Sequence, residues 1–301
     1  MKEVVLTKAP YMNASERRIA DMHSVLNILN VVVGELSLIE PGQAALGERL
    51  EQLRAEVVDI TRRTREGDDI YEVMRRIKDS QQMTLDFMHS ALEHEDGSSA
   101  SRSAEIKDSL VNLESVFSIL NARLNEFEER AKDPDVWVKM EPEAFRRNLE
   151  EVFAAVARNS KGKFGIRFDR AQQQKGDYLI DLEVEVRMPD QLLWIPLRLI
   201  DIFRDLTANA RKYTPPGGCI ALSLHQDQAG IRAVVEDNGH GIPEEEIEKV
   251  AEFGYRASNV RRRPTFGGGY GLTKAVWLVT NCGGSFTIKS EVDTGTKIEF
   301  S

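Results

Sequence analysis

The sequence predicts a two-domain α+β protein, with an antiparallel helical bundle over residues 1–135 and an α/β sandwich over residues 136–301. Apolar residues recur at spacings of three and four through most of the first part, which is typical of helices packed along a seam. Beyond Trp137, short alternating segments typical of strands occur between amphipathic segments and glycine-rich turns. Strands in runs with interspersed helices favour a sheet covered by helices on one face.

Composition and charge exclude several classes of protein. Hydrophobic residues make up 41% of the 301 residues and charged residues 30%, as in folded proteins. A net charge of -9 argues against a nucleic-acid binder, because no broad basic field offsets phosphate repulsion. The chain begins with no signal-peptide pattern, and polar residues interrupt the longest apolar stretch, Val25–Ile39. A cytoplasmic protein without direct membrane insertion is therefore expected.

Helical segments are predicted through the first part, beginning at Asn13-Ala-Ser-Glu16, which has the pattern of a capping box. Apolar seams run over Ile19–Leu36, Leu46–Ile60, Ile70–Leu92 and Ile106–Phe127. These seams fit either four antiparallel helices in one chain or two hairpins that pair with another copy.

A short repeat bears on that choice. Met22-His-Ser-Val-Leu26 is similar to Met88-His-Ser-Ala-Leu92. The similarity indicates either a duplicated hairpin or chance, and chance is favoured because the residues flanking the two copies differ. His23 follows the seam residue Met22, so it is predicted at the edge of the apolar stripe and partly exposed.

The segment Asp205–Thr214 closes an amphipathic helix in the second part. Asp205 and Asn209 are four residues apart, so both project from one side of that helix. Lys212 and Tyr213 follow at its end. An acid, an amide, a lysine and an aromatic ring so arranged suit a hydrated Mg²⁺, a phosphate and a flat ring. By itself, the segment is equally consistent with an ordinary amphipathic helix.

Two glycine-rich turns lie downstream of this helix. Asp237–Pro243 follows a predicted strand, and Gly267–Lys274 opens a predicted helix, where backbone N–H groups attract phosphate. The basic segment between them, with Phe253–Arg256 and Arg261–Arg263, is suited to a lid. Each turn alone is more simply a tight turn, but their fixed order behind the polar helix favours a ligand site.

In this order the motifs resemble the ATP-binding domain shared by sensor histidine kinases and gyrase-type ATPases, over about residues 140–301. The resemblance implies that Asn209 binds Mg²⁺, Lys212 contacts phosphate and Tyr213 packs near adenine. It also implies that Asp237 bonds the adenine amino group. The other matched positions are Gly239, Gly241, Arg256, Gly267, Gly269, Gly271, Leu272 and Thr296.

Asp205 occupies the position where many histidine kinases have asparagine and gyrase-type hydrolases have glutamate. A carboxylate there suits either a metal ligand or a base that orients an attacking water. Support of the metal is favoured, and the hydrolytic role stays open.

His23–Asn30 resembles the histidine box on the first helix of a dimerisation and phosphotransfer domain. That box has an acid after the histidine and threonine or asparagine four residues after it. Asn27 fits the second position, whereas Ser24 replaces the acid and Ile28 replaces the usual proline. The resemblance implies that His23 accepts the phosphoryl group, with Asn27 as a further catalytic residue.

The predicted function is that of a protein-histidine kinase in a two-component system, using ATP and Mg²⁺. It would phosphorylate His23 and pass the group to an aspartate on a response regulator receiver domain. A homodimer through the helical region is implied. Two alternatives remain: a non-kinase adaptor or response-regulator phosphatase that binds ATP, which Ser24 favours, and an ATP-hydrolysing switch that uses Asp205.

Overall fold

The computed structural model describes residues 1–39, 44–93, 100–133, 136–159, 162–261 and 268–301. The chain divides into two compact units, one formed by Asn13–Glu128 and the other by Met1–Met12 together with Glu129–Ser301. The predicted helical region, residues 1–135, therefore extends beyond the compact helical unit at both ends. A five-residue strand in the first segment carries no periodic signal that identifies its partner strand, so pattern alone could not assign it.

The helical unit contains helices that follow one another along the chain. They are α1 (Ala14–Asp21), α2 (His23–Leu38), α3 (Ala44–Glu66), α4 (Ile70–Glu93) and α5 (Ala100–Lys132), the last of which ends inside the second unit. The capping box is confirmed, because the Asn13 side chain accepts from the Glu16 amide and the Glu16 side chain accepts from the Asn13 amide.

The first predicted helix is broken at Met22. α1 and α2 meet at a bend of 57°. The Met22 side chain is fully buried in the core of the helical unit, together with Leu26 and Leu29 of α2. Because the apolar spacing continues across the break, periodicity could not reveal it. No single helix in the described part of the chain is long and apolar enough to cross a membrane, and only α1 and α2 taken together reach that length and hydropathy.

The two copies of the short repeat have different surroundings. Met22 and Met88 are both fully buried in the core of the helical unit. His23 is half-buried, as predicted, whereas His89 is exposed, with its Nε2 4.0 Å from a Glu114 oxygen.

The second unit is built on a sheet that has seven strands within the described residues, in the order β1-β8-β9-β7-β6-β4-β3. A separate pair, β2 with β5, lies beside it in the same unit. The strands are β1 (Lys2–Leu6), β2 (Trp137–Met140), β3 (Ile166–Arg167), β4 (Tyr178–Val186), β5 (Leu193–Pro196), β6 (Cys219–Asp227), β7 (Gly230–Asp237), β8 (Phe286–Glu291) and β9 (Gly295–Phe300). The helices are α6 (Pro142–Asn159), α7 (Leu197–Tyr213) and α8 (Gly271–Asn281).

The predicted fold class, a helical region followed by an α/β sheet domain, is confirmed. The helices of the second unit share one apolar core with the sheet. Phe203 of α7 lies at its centre, with its ring edge-on to Phe145 of α6 at 5.7 Å and to Phe300 of β9 at 6.4 Å between centroids. This packing holds α7 against the sheet, so that its polar side carries the candidate site.

Candidate functional site

The polar side of α7 carries the first group of predicted residues. Leu206, on the other side, is 1% exposed and packs in the core of the unit. Asn209, Lys212 and Tyr213 are half-buried, and Asp205 is 8% exposed. These side chains are therefore partly withdrawn from water, which strengthens electrostatic contact with any ligand that reaches them.

A cationic group lies at the end of α7. Burial first, and then the nearby Arg256 and Arg211 guanidinium groups, lower the pKa of Lys212 to about 8. The Lys212 ammonium lies 5.0 Å from the centroid of the Tyr213 ring. Burial raises the pKa of Tyr213, while Arg256 acts in the opposite direction. The predicted residue Arg256 thus lies beside two others from α7, and an anion would relieve the repulsion between these cations.

Asp237 ends β7 opposite Thr296 of β9. The Gly239 amide donates to Asp237 Oδ1 at 2.8 Å. The pKa of Asp237 is raised to about 6. Burial is the largest cause and the neighbouring Glu236 acts in the same direction, whereas the amides of Gly239 and Thr296 favour the ionised form. A half-buried carboxylate whose charged neighbour is another acid is suited to accept a hydrogen bond from a ligand amino group.

The glycines after Asp237 let this loop lie directly against other backbone. A Cβ atom on Gly239 would lie 2.4 Å from the Tyr213 carbonyl oxygen. Gly241 has a φ of +60°, and a Cβ atom there would lie 1.9 Å from the Glu291 carbonyl oxygen. Only glycine fits these positions, so the loop is fixed between the end of α7 and the β8–β9 turn.

The second glycine motif reaches α7 through Gly271, the first residue of α8. A Cβ atom on Gly271 would lie 3.3 Å from the Asp205 Cβ and 3.6 Å from Asn209 Nδ2. The start of α8 therefore lies against the polar side of α7. A helix N-terminus attracts anions through its free N–H groups and its dipole.

The segment before α8 is held by aromatic and backbone contacts. Phe253 stacks on Tyr270, with ring centroids 4.5 Å apart, and the Gly254 amide donates to the Gly269 carbonyl at 3.3 Å. Leu272 packs against the core of the unit, which accounts for the residue without any ligand. The predicted residue Gly267, together with Arg262 and Arg263, lies outside the described residues.

Three charged side chains beside Asp205 were missed by the sequence analysis. Asp201, one turn earlier on α7, accepts hydrogen bonds from Lys274 of α8 and, at 2.8 Å, from Arg130 of α5. Lys274 Nζ lies 3.8 Å from Asp205 Oδ2. An acid on the apolar side of an amphipathic helix was a signal that a buried partner exists, but not of which residue it is.

The ion pairs decide the charge states in this cluster. Burial alone would raise the pKa of Asp201, but Lys274 and Arg130 outweigh it and hold the pKa below its usual range. Burial alone would lower the pKa of Lys274, but Asp201 and Asp205 outweigh it and raise the pKa. Asp201 and Lys274 are therefore both charged at neutral pH.

His23 and Asn27 belong to the helical unit and contact each other. His23 begins α2, and Asn27 lies one turn later, with its Nδ2 3.1 Å from His23 Nε2. An amide nitrogen only donates, so with this amide orientation Nε2 accepts and the neutral ring carries its proton on Nδ1.

A further group of metal-ligand types lies on β4 and β6, away from the predicted residues. Potential ligand atoms of Glu183, Glu185 and His225 lie within 4.8 Å of one another. Glu185 already contacts Arg187 at 2.6 Å and His225 at 2.8 Å, so both of its oxygens are engaged by protein groups.

Comparison with known proteins finds similarity mainly in the C-terminal part of the chain. Residues 195–301 match the family described as histidine kinase-, DNA gyrase B- and HSP90-like ATPases. The sensor histidine kinase WalK of Bacillus subtilis is 29% identical over 45% of this chain and 22% of its own length. The histidine-protein kinase/phosphatase MprB of Mycolicibacterium paratuberculosis is 32% identical over 42% of this chain and 24% of its own. The chain thus matches less than a quarter of the length of either relative.

Solved structures similar to this chain include histidine kinases as well. The catalytic domain of ThkA is 18% identical and covers 55% of this chain and 93% of its own, with a TM-score of 0.39. Full-length ShkA in complex with AMPPNP is 19% identical and covers 71% of this chain and 41% of its own, with a TM-score of 0.41.

Proposed function

We propose that this chain is a protein-histidine kinase of a two-component system, because residues 195–301 match the family described as histidine kinase-, DNA gyrase B- and HSP90-like ATPases. ATP binds among α7, the loop after β7 and the start of α8. The γ-phosphoryl group moves to His23 and then to an aspartate on a response regulator receiver domain.

The observation that carries this proposal is the convergence of Gly271 on Asp205 and Asn209. These residues come from two helices that are distant in the sequence. Their contact sets the amide groups at the start of α8 beside an acid and an amide side chain. Backbone donors next to oxygen ligands are what a phosphate with an associated cation requires.

The adenine base is bound at the other end of this region. Asp237 accepts a hydrogen bond from its amino group, and Tyr213 packs beside its ring. The amides of Gly239 and Thr296 hold the carboxylate before the ligand arrives, so little ordering is needed on binding. Lys212 and Arg256 contact the phosphates, whose charge favours the protonated lysine.

The donor set fits Mg²⁺, since the Asn209 amide oxygen and the Asp205 carboxylate are hard oxygen ligands. Gly271 lies against both residues, so a cation there would be next to the start of α8. When bound with ATP, Mg²⁺ neutralises phosphate charge and supports transfer.

The chemical step begins at His23. Nε2 releases the Asn27 amide, attacks the γ-phosphorus in line, and forms the N–P bond as the bond to the β,γ-bridging oxygen breaks. ADP leaves, and the ring then loses its Nδ1 proton to solvent, because Ser24 stands where an acid is usual. Asn27 thus orients the ring and fixes the tautomer that leaves Nε2 as the nucleophile.

We extend the proposal to the setting of the protein. Two copies pair through the helical unit, in the cytoplasm, and the receiver domain binds near α2. Light scattering measures the mass in solution. A monomer mass at all accessible concentrations would contradict the proposed pairing.

Incubation with γ-labelled ATP tests the kinase. We expect label that is lost in acid and kept in alkali, as for a phosphohistidine. His23→Ala should remove it without changing ATP affinity, and Asn209→Ala should reduce both. His89→Ala is the matched control, because His89 lies in the repeated segment and is exposed.

Either of two results would contradict the kinase. One is acid-stable label, and the other is label that persists in His23→Ala. Steady phosphate release without protein labelling would instead support the ATP-hydrolysing switch.

A second candidate function, phosphatase activity on a receiver domain, is favoured by the contact between Asn27 and His23. An amide at this place is able to orient a water for attack on a phosphoaspartate. Asn27→Ala should then abolish dephosphorylation of a labelled receiver domain, while His23→Ala leaves it measurable. Equal rates for Asn27→Ala and wild type would exclude this activity.

A further inference from the structure

A buried cluster of charges joins Asp205, which the proposed function assigns to Mg²⁺, to three residues that the proposed function does not use. It consists of Arg130, Asp201, Asp205 and Lys274, which are 9%, 1%, 8% and 5% exposed. Asp201 bonds both Arg130 and Lys274, and Lys274 Nζ also lies 3.8 Å from Asp205 Oδ2. The cluster thus has two ends. At one end Arg130 of α5 pairs with Asp201, and at the other Lys274 contacts Asp205, one turn before Asn209.

Stability alone does not account for such a cluster. Buried ion pairs contribute little compared with apolar side chains of similar volume, because each charge loses its hydration. What a network of this kind does supply is a restricted arrangement, since any rotation of Lys274 or Asp205 would separate buried charges.

The restricted arrangement includes Asp205, which the proposed function assigns to Mg²⁺. Asp205 lies one turn before Asn209 on α7, and Lys274 lies three residues after Gly271 on α8. A Cβ atom on Gly271 would lie 3.3 Å from Asp205 Cβ and 3.6 Å from Asn209 Nδ2. Lys274 therefore links α8 to α7 through Asp201 and Asp205, close to the start of α8.

Resting on the proposed function, we propose that Lys274 is a positioning residue for Mg²⁺-ATP and acts through Asp205. Its ammonium fixes the direction of the Asp205 carboxylate, so that this group supports the cation beside Asn209. The same contact disfavours Asp205 as a hydrolytic base, because the Lys274 ammonium competes with an attacking water for the carboxylate oxygen.

Two charge-neutral double variants of the full chain separate the ends of the cluster. D201N/K274M removes Lys274, the partner of Asp205. R130M/D201N removes the Arg130–Asp201 pair and leaves the Lys274–Asp205 contact. Calorimetric titration gives the ATP affinity of each variant with Mg²⁺ and with a chelator. We expect D201N/K274M to lose about tenfold in affinity with Mg²⁺ and to keep its affinity without it, as for residues that orient a metal ligand. R130M/D201N should stay within about twofold of wild type in both conditions.

A double-mutant cycle tests whether Lys274 acts through Asp205, and it keeps the proposal falsifiable if D201N/K274M does not fold. D205N/K274M is also charge-neutral, and it should lose no more Mg²⁺-ATP affinity than D205N alone. Additive losses would overturn the proposal, as would unchanged affinity in D201N/K274M, an equal loss with and without Mg²⁺, or an equal loss in R130M/D201N. Absence of ATP binding by the wild-type protein would overturn the proposed function itself.

Discussion

Asp237 and Asp201 are both withdrawn from water in the same unit, yet their surroundings move the pKa of the two carboxyls in opposite directions. At Asp201, Lys274 and Arg130 outweigh burial and lower the pKa. At Asp237, burial outweighs the amides of Gly239 and Thr296 and raises the pKa to about 6. One carboxylate has its counter-charges within the protein, and the other is held by neutral donors.

The difference is consistent with a structural role for Asp201 and with the predicted ligand-binding role of Asp237. The charge on Asp201 is balanced in the ligand-free protein, so the group holds helices together. The charge on Asp237 is costly in the ligand-free protein, which is expected for a group whose partner is a ligand. Perturbed carboxyls are common at functional sites, but the direction and cause of the change distinguish these two.

Lys274→Met should lower the free energy of unfolding most, because it leaves Asp201 and Asp205 buried with one cation fewer. Loss of one partner from a buried ion pair costs about 3–5 kcal/mol of unfolding free energy. Denaturant unfolding of the ligand-free protein measures it. Lys289→Met is the matched control, because Lys289 contacts Glu3 at the surface and its loss should cost at most about 1 kcal/mol. Equal effects of the two substitutions would contradict a special role for burial.

Asp237→Asn should change the free energy of unfolding in the opposite direction and stabilise the ligand-free protein. The pKa of Asp237 is about 6 when folded against a reference of 3.8, so the ionised group disfavours folding above pH 6. At about 1.4 kcal/mol per pKa unit, the gain is about 3 kcal/mol near pH 8, and it disappears as pH falls through 6 towards 4. Unfolding at several pH values measures the gain, and ATP titration should show that binding is lost. Destabilisation at pH 8 would be evidence against the assigned charge state.

ATP affinity should have a pH optimum between the pKa values of Asp237 and Lys212. Affinity should fall below about pH 6, as Asp237 is protonated, and above about pH 8, as Lys212 loses its charge. Each limb should approach tenfold per pH unit. Lys212→Arg keeps its charge and should remove only the alkaline limb, as measured by calorimetry across pH. An unchanged alkaline limb in this variant would exclude Lys212 as its cause.

Asp177→Asn should change the free energy of unfolding least. It should destabilise the protein, as expected when a carboxylate that already has hydrogen-bond partners is replaced. Asp177 accepts from Arg167 Nε at 2.8 Å and from the Gly165 amide at 2.9 Å. Arg167 first, and then the amides of Gln174 and Gly165, lower the pKa of Asp177. The variant should be less stable than wild type at pH 7, and the difference should disappear as pH falls below the usual carboxyl range. A stabilised variant would remove the contrast with Asp237→Asn.

Much of the fold could be predicted because its signals are local. The helix that became Leu197–Tyr213 was predicted from apolar spacing and from the residues that stop it, and the strands that became β4, β6 and β7 were predicted from alternation. The order of the motifs was sufficient to expect Asn209 and Gly271 in one site, and the structure brings them together.

Features that depend on distant partners could not be predicted in this way. β1 became part of the sheet through pairing with β8, from the opposite end of the chain. The break at Met22 occurs inside an unbroken apolar pattern. Arg130 and Lys274 appeared as ordinary polar residues, and only their contact with Asp201 shows that they are buried and paired.

The sequence by itself thus determined the two classes of structure, the polar side of α7 and the set of residue types able to bind a nucleotide. The tertiary structure decided which carboxylates are balanced by cations and which are not. Periodicity and turn chemistry act over a few residues, and the sequence records them directly. The charge state of a buried group depends on desolvation and on partners brought from remote segments, so only the folded chain determines it.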